Sequence, residues 1–272
     1  QIWPQNYGEV WGDGTLRTAW YGVQHSLNTL AVRVGRMNTT KAMYTQLTQM
    51  LGFTTLVESD IALSPLCLGA LTNGAKLVEV AGAYQIFGNG GVYYRPMFYS
   101  KVEDSKGNVI MEQDFYGTQA IDSDSAWVTN RMIYKVVNGD SGTGPKAKLP
   151  NVEVIGKTGT SNAGTDLLFM GLTPEYIGGL WIGYDDSRAD GWKAVAQIWH
   201  DVMIDIQDTS QVLNFVPDPS VVERQYCTMT GLLATNKCSS TNTGYYRASN
   251  LPEYCNGDHG TIRKQIKANN PQ

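Results

Sequence analysis

Three short apolar segments follow one another late in the chain, and they constrain the fold more than any other feature of the sequence. They cover residues 152–160, 167–172 and 177–184, and only a few turn-forming residues separate each from the next. Parallel strands need a crossover of about a dozen residues or more, whereas antiparallel strands need only a tight turn. The sequence therefore predicts a meander of three antiparallel strands.

Helical periodicity surrounds this predicted sheet. Apolar residues recur at three- and four-residue steps over residues 15–37, and similar patterns predict helices over 40–51, 66–87, 125–137 and 192–203. Short strands and a hairpin are predicted within residues 92–112. The combination predicts an α/β fold of the α+β type, in which helices flank an antiparallel sheet.

Composition excludes several classes of protein. The chain has 272 residues, of which 42% are hydrophobic and 17% are charged, so it is long and apolar enough to bury a core. Its net charge is −4 and it contains no block of Lys or Arg, which argues against a nucleic-acid partner. No run of about 18 apolar residues occurs. We therefore expect any membrane anchor to lie in a segment that precedes Gln1.

Beyond Pro217 the sequence becomes rich in Ser, Thr, Asn and Gly and contains three of the four cysteines. This change predicts a boundary between a main domain, residues 1–216, and a small appendage, residues 217–272. Cys227, Cys238 and Cys255 suit a disulfide-stapled unit outside the cytoplasm, with one thiol left over. Zinc binding together with His259 is the weaker alternative because no C-x2-4-C pair is present. We predict no metal ligands and no cofactor.

The end of the first predicted strand carries a polar motif, Gly156-Lys157-Thr158-Gly159-Thr160-Ser161. A nucleotide-binding P-loop would need a glycine at Asn151, so that interpretation fails. On a strand, Thr158 and Thr160 share one face, and Gly159 leaves room on the face of Lys157. The motif predicts a strand edge that binds an extended peptide through its terminal carboxylate.

A second polar motif, Ser26-Leu27-Asn28, interrupts the helical pattern of residues 15–37. A helix ending near Val23 and another starting at Ser26 would place both polar side chains at a helix junction. Alone, the motif is typical of ordinary helix capping.

Together the two motifs resemble the penicillin-binding proteins, specifically the transpeptidase domain of the class A (bifunctional) type. That family carries an S-x-x-K nucleophile, an S-x-N element and a K-T-G element, and Ser26-Leu27-Asn28 and Lys157-Thr158-Gly159 are similar to the last two. Further similar segments occur along nearly the whole chain: Pro4-Gln5-Asn6-Tyr7, Gly142-Thr143-Gly144, Gly171-Leu172-Thr173-Pro174 and Trp181-Ile182-Gly183-Tyr184-Asp185. The resemblance implies a serine beta-lactamase/transpeptidase-like fold with an additional all-helical subdomain.

The nucleophile motif is missing from this sequence, since no serine is followed by a lysine three positions later. In the family that motif precedes the segment similar to Pro4-Gln5-Asn6-Tyr7, together with the first strands of the sheet. We therefore expect an upstream segment or a second chain to supply the S-x-x-K serine. It would also cover an apolar sheet edge that is otherwise open.

The resemblance implies a D,D-transpeptidase that cross-links peptidoglycan stem peptides on the outer face of the bacterial membrane and is acylated by beta-lactams. Ser26 would relay a proton, Asn28 would hold the substrate amide, and Lys157 would supply positive potential. Thr158 and Thr160 would hydrogen-bond the carboxylate, and Gly159 between them would also belong to the substrate-binding strand. The Thr160 backbone N–H would form half of the oxyanion hole.

Two alternatives stay open. A module without its own nucleophile would sense muropeptide or antibiotic non-covalently, and a D,D-carboxypeptidase would resolve the acyl-enzyme with water rather than an amine. His25 is not predicted to be a base for Ser26, since neighbouring residues point apart on a helix. The remaining candidates are interpreted as structural: His200, His259, and the turn of Asp185, Asp186 and Asp190.

Overall fold

The computed structural model describes residues 3–8, 17–161, 164–183 and 195–259. Its α-helices are α1 (Ala19–Gln24), α2 (Asn28–Gly35), α3 (Thr40–Thr45), α4 (Leu63–Leu68), α5 (Leu77–Tyr84), α6 (Ser123–Asn138) and α7 (Val195–Ile206). A π-helical turn, Gln46–Met50, extends α3. Over the described ranges, no helix has both the length and the apolar character that crossing a bilayer requires.

Within the described ranges the strands form four antiparallel sheets, and one of them is the predicted meander. The strands are β1 (Val92–Tyr94), β2 (Lys101–Glu103), β3 (Val109–Glu112), β4 (Gly117–Gln119), β5 (Ile155–Thr160), β6 (Asp166–Leu172), β7 (Ile177–Gly183), β8 (Val221–Cys227) and β9 (Thr241–Arg247). The meander has the order β5-β6-β7, and β1 pairs with β4, β2 with β3 and β8 with β9. The predicted α+β architecture is therefore confirmed.

Helix α6 packs against the first strand of the meander because one of its faces is suited to burial. Ala126, Asn130, Ile133 and Val137 recur at three- and four-residue intervals and are all buried. The main hydrophobic core is formed by residues of α6, of the segment before β5, of β6 and of α7. Ile133 of α6 and Ile155 of β5 belong to a second buried cluster. Strand β5, which carries the predicted lysine motif, is thus fixed from behind by a helix.

A buried ion pair reinforces this contact. The Arg131 guanidinium on α6 lies 2.7 Å from the Glu153 carboxylate, just before β5, and both side chains are nearly inaccessible to solvent. The other carboxylate oxygen of Glu153 accepts a hydrogen bond from the Phe215 amide at 2.9 Å. Arg131 also lies over the rings of Trp127 and Tyr134. This network joins α6, the segment just before β5 and the segment after α7.

Two predicted elements differ from the structure. The long helix predicted over residues 66–87 is two helices, since α4 ends at Gly69, whose φ of +77° places it in the left-handed region. The chain then runs irregularly to Leu77, where α5 begins. The strand predicted from residue 92 stops at Tyr94, two residues before Pro96. Apolar composition alone does not mark such interruptions.

The C-terminal residues form their own small sheet, and it packs on the main body. The Trp20 indole N–H on α1 donates to the Tyr226 hydroxyl on β8 at 2.9 Å. Arg247 on β9 lies 2.7 Å from the Asp124 carboxylate at the start of α6. The predicted domain boundary after residue 216 stays a prediction. Cys227, Cys238 and Cys255 are free thiols, so the structure differs from the expected disulfide staple.

Candidate active site

A cavity of about 520 Å³ lies between the α1–α2 junction and strand β5. The residues predicted from the sequence all line it: Ser26, Asn28, Lys157, Thr158, Gly159 and Thr160. Segments more than a hundred positions apart thus meet at one place. The remaining wall is mainly apolar and includes Val23, Leu30, Val34, Leu68 and Met132.

The turn between α1 and α2 places Ser26 at the cavity. Helix α1 ends at Gln24, and the Leu27 amide donates back to the Gly22 carbonyl at 2.9 Å. Ser26 itself has a φ of +52°, a left-handed conformation that is uncommon for residues other than glycine and costs about 1 kcal/mol or more. The surrounding turn therefore holds the Ser26 hydroxyl at the mouth of the cavity under local strain.

The Lys157 ammonium connects the two motifs. Its Nζ donates a hydrogen bond to the Ser26 Oγ at 2.7 Å and another to the Thr158 carbonyl at 2.8 Å. Burial lowers the pKa of Lys157 to about 8, because the charged form loses solvation there. The ammonium is therefore still mostly protonated at neutral pH, yet close to releasing a proton.

Lys157 supplies the charge of the site. Among the described residues that line the cavity, the other titratable side chains are Cys67 and Tyr84. Burial raises the pKa of Cys67, and it raises the pKa of Tyr84 to about 12, so both stay neutral. The cavity is thus largely apolar and carries the positive charge of the Lys157 ammonium. Such a cavity suits a ligand that carries a carboxylate.

Asn28 is held by the N-terminal segment. It is the first residue of α2, and its side-chain amide donates to the Gln5 carbonyl at 2.8 Å. The neighbouring Thr29 amide donates to the Asn6 side chain at 3.1 Å. Residues 5 and 6 therefore fix the start of α2 beside the cavity.

The open edge of β5 presents backbone groups as well. The Ser161 amide donates to the Asp166 carbonyl on β6 at 3.0 Å. Alternate residues of an antiparallel strand direct their backbone groups to opposite sides, so the amides of Thr158 and Thr160 point away from β6. Within the described residues β5 pairs with β6 alone, and these amides face its free edge.

The penicillin-binding protein transpeptidase domain matches residues 5–203 of this sequence, which include every residue of the site. The chain belongs to this transpeptidase family.

Relatives in the penicillin-binding protein family agree with the class A resemblance. Penicillin-binding protein 1A of Clostridium botulinum is 39% identical over 145 residues, which cover 52% of this chain and 17% of that protein. Penicillin-binding protein 4 of Bacillus subtilis is 38% identical over 184 residues, which cover 67% of this chain and 28% of that protein. The chain therefore spans well under a third of the length of these two relatives.

Solved penicillin-binding proteins share the fold. Penicillin-binding protein 1A of Haemophilus influenzae superposes with a TM-score of 0.74 at 20% identity, over 93% of this chain and 43% of that chain. Penicillin-binding protein 3 of Mycobacterium tuberculosis, solved in complex with aztreonam, superposes with a TM-score of 0.59 at 19% identity, over 74% of this chain and 53% of that chain. The predicted fold class is confirmed.

Thr143 is a polar neighbour of the site that the sequence did not single out. Its hydroxyl lies 2.8 Å from the Thr158 hydroxyl, in the loop that precedes β5. The signal was present, since Thr143 stands between two glycines in a segment similar to this transpeptidase family. The Thr143 hydroxyl therefore helps to fix the orientation of the Thr158 hydroxyl.

Neither His25 nor His200 lines the cavity. The His25 ring packs against Tyr21 with centroids 4.1 Å apart, and the His200 Nδ1 lies 2.6 Å from the Lys148 carbonyl oxygen. The predicted turn of Asp185, Asp186 and Asp190 lies outside the described residues.

Proposed function

We propose that this chain supplies the substrate-binding and proton-relay part of a peptidoglycan D,D-transpeptidase. The observation that carries the proposal is the 2.7 Å contact between Lys157 Nζ and Ser26 Oγ at the free edge of β5. It joins a hydroxyl able to pass a proton to an ammonium able to attract an anionic substrate. The family membership of the chain supports the same activity.

The substrate is a stem peptide that ends in acyl-D-alanyl-D-alanine. Its terminal carboxylate binds Lys157 through charge and the hydroxyls of Thr158 and Thr160 through hydrogen bonds. Asn28 holds the peptide amide. The extended peptide lies along β5, where the backbone groups of the strand edge align it.

The reaction consists of two acyl transfers. A serine from the S-x-x-K motif attacks the amide carbon, forming an ester while the C–N bond breaks, and Ser26 passes the serine proton to the departing D-alanine nitrogen. The amine of a second stem peptide then attacks the ester, forming the new amide, and the proton lost by that amine returns to the serine oxygen. Each step passes through an oxyanion, to which the Thr160 backbone N–H donates.

The S-x-x-K serine comes from an upstream segment or a second chain, which also covers the outer edge of β7. Trp181 and Ile177 on that strand are 57% and 38% exposed, which is unusual for a sheet edge unless another element covers it. A monodisperse preparation of the 272 residues alone that unfolds cooperatively would contradict this part of the proposal. The reaction takes place on the outer face of the bacterial membrane, where an upstream anchor holds the enzyme.

Penicillin labelling tests the proposal. We compare the chain alone with a joined protein, in which an S-x-x-K-bearing segment of a transpeptidase domain precedes the chain in one polypeptide. A fluorescent penicillin is expected to label the joined protein covalently and to leave the chain alone unlabelled. In the joined protein, Ser26→Ala and Lys157→Ala are each expected to slow labelling by about 100-fold.

Lys106→Ala is the matched control, because Lys106 is an exposed lysine in the turn between β2 and β3. Its labelling rate is expected to equal that of the unchanged joined protein. A covalent adduct on one of the 272 residues of the chain alone would overturn the proposal that the nucleophilic serine comes from another segment. Unchanged rates in both Ser26→Ala and Lys157→Ala would overturn the proposed relay.

A stem-peptide assay separates this activity from the alternatives. The joined protein is given an acyl-D-alanyl-D-alanine peptide and an amine acceptor, and the products are identified by mass spectrometry. A new amide supports transpeptidation, whereas a free acid alone indicates a carboxypeptidase. Non-covalent binding without either product indicates a sensor.

A further inference from the structure

Four side chains of the types that bind metals lie close together beside the C-terminal sheet. None of them takes part in the proposed transpeptidase reaction. The ligand atoms of Cys227, Cys238, Cys255 and His259 all lie within 4.8 Å of one another. Cys227 and Cys255 are buried, and Cys238 and His259 are half-buried. The site is thus sheltered but open to an entering ion.

Separate turns deliver these ligands. Cys227 ends β8, and the chain turns at Gly231, whose φ is +78° and whose amide donates to the Cys227 carbonyl at 2.8 Å. Cys238 follows a second turn, in which its amide donates to the Thr235 carbonyl at 3.0 Å. Cys255 is fixed by its own amide, which donates to the Leu233 carbonyl at 2.8 Å.

Polar groups of Thr235 also contact one of the sulfur atoms. The Thr235 amide donates to the Cys238 sulfur at 3.4 Å, and the Thr235 hydroxyl lies 3.9 Å from the same sulfur. Such outer contacts orient thiolates that bind a metal. The Thr235 hydroxyl donates to the Cys255 carbonyl at 2.9 Å and so joins two of the three turns.

The distances fit a tetrahedral ion. With Zn–S bonds of about 2.3 Å and Zn–N bonds of about 2.05 Å, a tetrahedral site separates sulfur from nitrogen by about 3.6 Å. The Cys227 Sγ and the His259 Nε2 are 3.5 Å apart. Three sulfurs and one imidazole are a ligand set that zinc prefers, and four protein ligands close its coordination shell.

We propose that Cys227, Cys238, Cys255 and His259 together bind one Zn²⁺ ion as a structural site. The sequence pattern does not indicate this site clearly, because the ligands come from three separate turns. The one pair of ligands close in sequence is Cys255-x3-His259, whereas zinc sites commonly have two closely spaced cysteines. The expectation of no metal ligands therefore gives way to this proposal.

The ion would stabilise a C-terminal unit that is too small to be held together by a hydrophobic core of its own. A two-stranded sheet is only marginally stable in isolation, and metal binding adds directly to the folding free energy of such units. Tyr226, directly before the ligand Cys227, accepts the hydrogen bond from Trp20 on α1. Zinc would thus support the contact between the C-terminal sheet and the helix that precedes Ser26.

Metal analysis of the joined protein, purified under reducing conditions without added metal, tests the proposal. We expect one zinc per chain by elemental mass spectrometry. Replacing zinc with Co²⁺ is expected to give the absorption bands of a tetrahedral, sulfur-rich site. Cys238→Ser and His259→Ala are expected to lower zinc affinity by at least about 10-fold.

Cys67→Ser is the matched control, because Cys67 is a free thiol far along the chain from the cluster and should leave the zinc content unchanged. Thr235→Val keeps every ligand and still removes an outer contact, so it tests the site if the ligand variants fail to fold. We expect it to bind zinc more weakly than the unchanged chain. Absence of zinc from the unchanged chain, with two of the three C-terminal cysteines joined in a disulfide, would overturn the proposal. None of these measurements depends on penicillin labelling.

Discussion

The Lys157 Nζ lies 2.7 Å from the Ser26 Oγ, although the two residues are 131 positions apart. One belongs to a strand of the central meander and the other to a strained turn between two helices. Helix α6 brings them together, since it packs against both α1 and β5. The stability of this packing therefore decides whether the proposed relay exists.

Lys157→Met is expected to stabilise the fold at neutral pH. Burial lowers the pKa of Lys157 from 10.5 to about 8, so below about pH 8 the folded protein holds an ammonium that would be better solvated in the unfolded chain. Removing that charge is expected to raise the free energy of unfolding by about 1–3 kcal/mol. The gain should shrink as the pH rises from about 8 towards 10.5, because the folded protein then releases the proton while the unfolded chain keeps it.

Urea unfolding of the joined protein at neutral pH and above pH 8 measures this effect. Lys106→Met serves as the control and should change stability little at either pH, since Lys106 is exposed. A Lys157→Met variant that is less stable than the parent at neutral pH would contradict the assignment of a desolvated ammonium.

Thr143→Val is expected to weaken penicillin labelling without weakening the fold. The change removes the hydroxyl that lies 2.8 Å from the Thr158 hydroxyl, at a position that is itself exposed. Losing one hydrogen bond costs about 1 kcal/mol of binding free energy. We therefore expect a three- to tenfold lower labelling efficiency, seen as a higher half-saturating concentration of penicillin. Thr143→Ser keeps the hydroxyl and is expected to restore the parent value. Equal half-saturation for Val and Ser would show that Thr143 does not position Thr158.

Glu153→Gln is expected to destabilise the fold by about 3 kcal/mol. The change leaves the buried Arg131 guanidinium without its carboxylate partner, and an uncompensated buried charge is costly. The exposed pair between Lys101 and Glu103 provides the comparison, and Glu103→Gln should cost less than about 1 kcal/mol. Urea unfolding of both variants measures the difference, and similar costs would mean that the Arg131 pair is effectively solvated.

The two glycines of the segment Gly156-Lys157-Thr158-Gly159 are expected to respond differently to alanine. A Cβ at Gly156 would lie 2.5 Å from the Phe169 ring and 2.7 Å from the Met170 carbonyl oxygen, which belongs to the paired strand and cannot move aside. Gly156→Ala should therefore cost about 2–3 kcal/mol. At Gly159 the nearest atom is the Leu168 Cβ, 3.3 Å away, so only a slight displacement is needed, and Gly159→Ala should cost less than about 1 kcal/mol. Thermal unfolding that ranks the two variants in the opposite order would show that β5 is packed differently.

Several elements followed from local sequence alone. The meander was predicted because strand periodicity and short turns are local properties, and the structure confirms β5, β6 and β7. Helix α6 was predicted within about two residues at each end for the same reason. The break between α4 and α5 was not predicted, because the apolar composition of residues 66–87 is compatible with one long helix. In the structure α4 ends at Gly69, which has a left-handed φ.

The sequence by itself determined the types of the main elements, the motif residues of the site and the family resemblance, since each depends on residues close together in the chain. Tertiary structure alone decided that Lys157 reaches Ser26, that Thr143 contacts Thr158, and that three cysteines and His259 converge. Those relationships join residues that the chain separates widely. Their distances are set by how helices and sheets pack, which no local pattern encodes.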